Sequence, residues 1–173
     1  MSFNPDIHHR KSIRLRGYDY SQEGMYFITI CTQDRLPLFG KIADEEMMSN
    51  ESGIMAGKYW QAIPDHFPRV MLDEFVVMPN HVHGIIIVGA NDYLPLQQNA
   101  VPQPKHGTSQ TIGSIVRGFK IGVTKWFRAN TDVHSVWQRN YYEHIIRDEA
   151  AYLKIAEYIQ TNPQRWQEDT YYV

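Results

Sequence analysis

The chain has 173 residues and a formal net charge of −2, with 43% hydrophobic and 13% aromatic residues. That length suits one domain with a core needing no covalent or metal staple, and the apolar content excludes a chain too poor in hydrophobic surface to fold. Cys31 is the only cysteine, which excludes an intrachain disulfide and a cysteine zinc site, and no run approaches the roughly 20 apolar residues of a bilayer span.

The expectation is a single domain over residues 1–173, in a reducing cytoplasm and without membrane attachment. Charge is unevenly spread. Residues 1–20 form a basic arm carrying Arg10, Lys11, Arg14 and Arg16, and a second basic segment runs from Arg117 through Lys120, Lys125 and Arg128 to Arg139. Acid gathers in "ADEEMMSNE" and in "QEDTYYV". Either basic cluster alone reads as a solvated face; two on an acidic chain bring a phosphate-bearing partner into consideration.

In chain order, "GMYFITICTQ" at 24–33 is aromatic and β-branched and reads as a buried strand. "RLPLFGKI" reads as a short edge strand limited by Pro37. Ala56, Trp60, Ile63 and Phe67 recur at four and three, one face of a helix over 52–67, with Pro64 ending or distorting its last turn. "RVMLDEFVVMPNHVHGIIIVG" holds two strand runs about a Pro-Asn turn, an antiparallel hairpin in which His81 and His83 share a face. Residues 89–110, with three prolines and no periodicity, read as a long mobile loop. Ile112, Val116, Phe119, Val123 and Trp126 then predict a helix, with Arg117, Lys120, Thr124 and Arg128 on its other side. A strand over 136–146 and a helix capped by Asp148 and closed by Pro163 complete the order β-α-β-β-α-β-α. This is an α+β, ferredoxin-like βαββαβ antiparallel sheet with an added C-terminal helix.

Two same-face histidines can chelate one divalent ion, but such a pair is more often a strand-end pair with ordinary hydrogen bonds, so a third ligand is required. Tyr158 and Asn162 stand four residues apart on the last helix and share a face directed at the protein body. By themselves they are a packing aromatic and a helix-end residue. Together with His81 and His83 they describe a phosphodiester-cleaving centre, in which an ion held by both histidines and the Asn162 amide polarises a phosphate oxygen while Tyr158 attacks phosphorus. Lys154, one turn before Tyr158, is a candidate for favouring its ionised form. Among the eleven tyrosines, Tyr141, Tyr142 and Tyr152 lack such a helix-face partner.

"VVMPNHVHGIIIV", "WQRNYYEHIIRDEAAY" and "AEYIQTNPQRW" resemble the single-tyrosine HUH transposases, most closely the branch associated with repetitive extragenic palindromes (REP). The likeness extends from "RKSIRLRGYDYSQEGMYFIT" to "NPQRW". It implies His81 and His83 as metal ligands, Tyr158 as nucleophile and Asn162 completing the site, where insertion-sequence relatives carry glutamine. It implies cleavage and transfer of single-stranded DNA hairpins with magnesium or manganese, a 5′-phosphotyrosine intermediate and a free 3′-hydroxyl. The basic arm and the helix carrying Arg117 and Lys120 are the candidate hairpin-binding surface, and the resemblance leaves monomer and homodimer both open. Two rivals remain: a domesticated hairpin-binding protein that no longer cuts, and a hydrolase that uses the histidines with an activated water.

Overall fold

A computed structural model of the chain describes residues 23–89 and 111–172. The basic arm with Arg10, Lys11, Arg14 and Arg16, and residues 90–110 of the expected loop, lie outside the described residues.

Four strands form the main sheet: β1 (Gly24–Cys31), β4 (Val70–Met78), β5 (His81–Val88) and β6 (Tyr142–Ile146), in the order β4-β5-β1-β6 with every neighbouring pair antiparallel. With the crossing helices this is the ferredoxin-like arrangement. β5 is central, so its even and odd residues meet different layers. Val82, Ile86 and Val88 enter the larger core with Tyr26, Ile28 and Ile30, covered by α1 (Glu51–Gln61) and α3 (Ile112–Asn130). Ile85 faces the other way with Phe27 and Ile146, under Ala156 and Ile159 of α4 (Glu149–Thr161). A strand buried on both faces has no use for a polar side, which is why "GIIIV" does not alternate.

Local signals fix the helix starts. Asn50, Thr111 and Asp148 each accept a backbone N–H of the first turn of α1, α3 and α4. Gly84 is required by packing: a Cβ there would stand 2.3 Å from Cζ2 of the fully buried Trp60.

Three expectations need correction. The helix over 52–67 is two pieces, α1 and the short α2 (Ile63–His66), because Pro64 restarts the helix at its first turn. "RLPLFGKI" supplies no edge of the main sheet; its end becomes β2 (Gly40–Ala43), which pairs with β3 (Glu46–Ser49) in a separate hairpin. The strand over 136–146 shortens to β6, preceded by a lone bridge between Thr32 and Trp137. No helix among the described residues is long and apolar enough to cross a membrane.

Candidate active site

Strand register brings the histidines in from the edge. His83 stands opposite Thr29 and His81 opposite Cys31, at the end of β5 where the hairpin from β4 turns. Both imidazoles are buried, His81 at 0% and His83 at 1% exposure. Asn80 fixes the proton on His81. Its Nδ2 donates to the carbonyls of Tyr171 (2.8 Å) and Arg35 (3.2 Å), leaving Oδ1 to accept from His81 Nδ1 at 2.8 Å. His81 Nε2 therefore carries the lone pair. His83 Nδ1 meets the Thr29 hydroxyl at 2.8 Å, and a hydroxyl can donate or accept, so His83 can hold its proton on either nitrogen. Burial pushes His81 down to about 4 against the opposing charge of Asp169, and pushes His83 well below the ordinary histidine value, reinforced by His81. Both are neutral at pH 7, the state that binds a metal.

Helix α4 lies over this face and delivers Tyr158 and Asn162 one turn apart. Tyr158 Oη is 3.2 Å from His83 Nε2 and donates to Asp169 Oδ2 at 3.0 Å. Asn162 Nδ2 donates to the same carboxylate oxygen. That bond turns Asn162 Oδ1 away from Asp169, and Oδ1 is buried without a hydrogen-bond partner, as is His81 Nε2. Two unpartnered buried acceptor atoms are costly unless something electropositive meets them. They suit a divalent cation. His81, His83 and Asp169 offer ligand atoms all within 4.8 Å of one another, so a carboxylate joins the imidazoles and the amide as a donor.

Asp169 is the residue that sequence reasoning missed. It follows α4 by a one-turn 3-10 segment, Trp166–Glu168, and is locked by the Tyr171 N–H at 2.7 Å. The same segment lays the Tyr171 ring beside both histidines, with centroid separations of 4.7 Å to His81 and 5.6 Å to His83. Burial, then the Asp169 charge, push the Tyr158 phenol well above the ordinary tyrosine value. Lys154 is exposed, and the groups that act on the Tyr158 hydroxyl are Asp169, Tyr171 and Asn162 instead.

A concavity of about 490 Å³ lies along α3. Arg117, Lys120, Lys125 and Arg128 line it with Arg139 and Tyr141. Lys120 is committed inward: Nζ donates to the carbonyls of Gln138 (2.8 Å) and Asn140 (2.9 Å), and burial lowers it to about 8. It ties the segment before β6 to the helix. Of the other tyrosines, Tyr141 packs against the larger core, Tyr142 is exposed on β6, and Tyr152 packs beside Ala156.

No family model matches the chain. A solved structure of a REP-associated tyrosine transposase bound to a REP hairpin superposes with a TM-score of 0.61 at 21% identity, covering 90% of this chain and 74% of that one. A Haemophilus influenzae protein named "Putative REP-associated tyrosine transposase" is 23% identical over 145 residues, 84% of this chain and 73% of that protein. The fold is thus that of the REP-associated tyrosine transposases. Within that class, the chain belongs to one family with an "Uncharacterized protein" of Haemophilus influenzae, to which it is 55% identical over 99% of its own length and 97% of the other's.

Proposed function

We propose that the chain cleaves and rejoins single-stranded DNA bearing a hairpin, through a covalent link to Tyr158. The observation that carries this reading is the convergence of Tyr158 on His83 beside two unpartnered buried acceptors, His81 Nε2 and Asn162 Oδ1. His81, His83 and Asn162, with Asp169, would hold a magnesium or manganese ion. When bound, it would supply Lewis acidity to a phosphate oxygen and to the phenol.

The protein's own groups do the rest. Tyr158 Oη forms a bond to phosphorus, the bond from phosphorus to the 3′ oxygen breaks, and that oxygen takes a proton from solvent, so the strand leaves with a free 3′-hydroxyl. Asp169 Oδ2 already accepts the Tyr158 proton's hydrogen bond and takes that proton as the new bond forms. Thr29 and Asn80 hold the imidazoles in orientation.

The basic concavity on α3 supports a hairpin-binding role. Arg117, Lys125, Arg128 and Arg139 face it without an acidic residue in its lining, and phosphate contacts of this kind position a duplex. It lies close to the histidines across the sheet. Cys31 pairs with His81 on one side and accepts the Gln138 N–H on the other, so only β1 separates β5 from the segment that borders the concavity.

The test is incubation with hairpin-bearing single-stranded DNA and manganese, followed by denaturing separation of protein-linked DNA. The expected result is a covalent adduct that Tyr158→Phe abolishes while hairpin binding persists. Cleavage without an adduct favours the water-using hydrolase, and binding without cleavage favours the non-cutting hairpin binder.

A further inference from the structure

His81 and His83 stand on β5 and Asn162 at the end of α4, whereas Asp169 arrives on the turn that follows Trp166–Glu168. That turn closes on itself. The Tyr171 N–H meets Asp169 Oδ1 at 2.7 Å, and the Tyr172 N–H meets the Asp169 carbonyl at 3.0 Å. Helix α4 holds the carboxylate through Tyr158 and Asn162. On the opposite side, two other residues dock the turn. Arg35 donates to the Thr170 carbonyl at 3.0 Å and sets its guanidinium 5.5 Å from the centre of the Tyr171 ring, and Asn80 donates to the Tyr171 carbonyl at 2.8 Å.

The backbone beneath Arg35 is strained. Asp34 and Arg35 take φ of 55° and 56°, a left-handed conformation that costs residues other than glycine free energy. It brings the Arg35 side chain to the docked turn and the Arg35 carbonyl to Asn80, which donates to it at 3.2 Å. Asn80 is 1% exposed, and both polar atoms of its side chain are engaged. An amide turns as one plane. With Nδ2 on two carbonyls, Oδ1 faces His81 Nδ1, and a half-turn would set donor against donor and acceptor against acceptor, losing all three bonds. The Tyr171 carbonyl thus helps to fix how Asn80 faces, and Asn80 fixes where His81 carries its proton.

We propose that Asn80 is a positioning residue that joins the two halves of the metal site, making the docking of residues 169–172 and the presentation of the His81 Nε2 lone pair one coupled event. The proposal rests on the metal-binding part of the reading above. Coupling of this kind is reciprocal: a metal on His81 holds the docked turn more firmly, and the docked turn holds the metal more firmly by the same factor.

The experiment follows solvent exchange of three protons in the full chain by nuclear magnetic resonance: the His81 Nδ1–H and the amides of Tyr171 and Tyr172. Arg35→Ala alters an exposed side chain that bonds the turn and no histidine. Without metal, it should speed exchange of all three protons by a common factor of about five, the size of one hydrogen bond. Asn80→Asp keeps an acceptor for His81 Nδ1 and loses both donated bonds. In that background Arg35→Ala should speed the two amides alone. Magnesium should slow all three protons in the wild-type chain. Acceleration by Arg35→Ala confined to the amides, or acceleration of the His81 proton that persists beside Asn80→Asp, overturns the coupling. A common response to Arg35→Ala with none to magnesium sinks the metal reading and keeps the coupling. Slowing of the amides by magnesium, with a His81 proton indifferent to Arg35→Ala, sinks the coupling and keeps the metal.

Discussion

Thr29 illustrates how much of the site depends on residues that would touch no substrate. Its hydroxyl, 2% exposed as a residue, is the partner that orients His83 Nδ1, and Thr29→Val keeps the shape while removing it. We expect at least a tenfold loss of manganese affinity in that variant, measured by electron paramagnetic resonance, with the fold intact by circular dichroism. Individual residues were legible in the sequence to different degrees. His81 and His83 are two apart on a strand and Tyr158 and Asn162 four apart on a helix, so simple periodicities put each pair on a common face. Asp169 obeys no such rule. It reaches the histidines through the irregular turns after Asn162, and "QEDTYYV" reads only as an acidic stretch. Thr29 becomes a partner of His83 only through the β1–β5 register, which residue types alone did not specify.

Strand β5 and helix α1 meet at Gly84, where the indole of Trp60 occupies the space a side chain would need. Trp60 is fully buried and Phe75 Cβ would be 3.0 Å from the added methyl, so neither neighbour can give way cheaply. Gly84→Ala should therefore cost about 1–3 kcal/mol of stability by overpacking, read as a fall in the denaturation midpoint in urea. The strands and helices that build the main sheet were legible because their apolar positions repeat with clean periods. The β2–β3 hairpin was not, because Asp-Glu at its tip carries none of the usual turn signals. The strand before α4 was overextended for a related reason: aromatic composition runs through 137–141, but Lys120 draws the Gln138 and Asn140 carbonyls to α3 instead of a strand partner.

Across the whole molecule, charge is segregated in a way the net value of −2 conceals. The concavity on α3 presents Arg117, Lys125, Arg128 and Arg139, and hairpin affinity should fall steeply with salt. Arg139→Ala should weaken binding to hairpins of different sequence alike and lower the salt slope by about 1, measured by fluorescence anisotropy across a salt series. The overall chain order was legible, whereas the closeness of the basic concavity to the histidines follows from Cys31 lying between His81 and Gln138, a relation only the folded sheet reveals. The two layers on the sheet also differ in size. The histidines ride on a central strand bonded on both sides and backed by the larger core, while Tyr158 and Asn162 ride on a helix seated on the small cluster of Phe27, Ile85, Ile146, Ala156 and Ile159. In hydrogen–deuterium exchange, β5 amides should open only with global unfolding, and α4 amides should exchange through a separate, lower-energy local opening. The half of the site that would bind metal is then the permanent half, and the half bearing the nucleophile is the one able to detach without the protein coming apart.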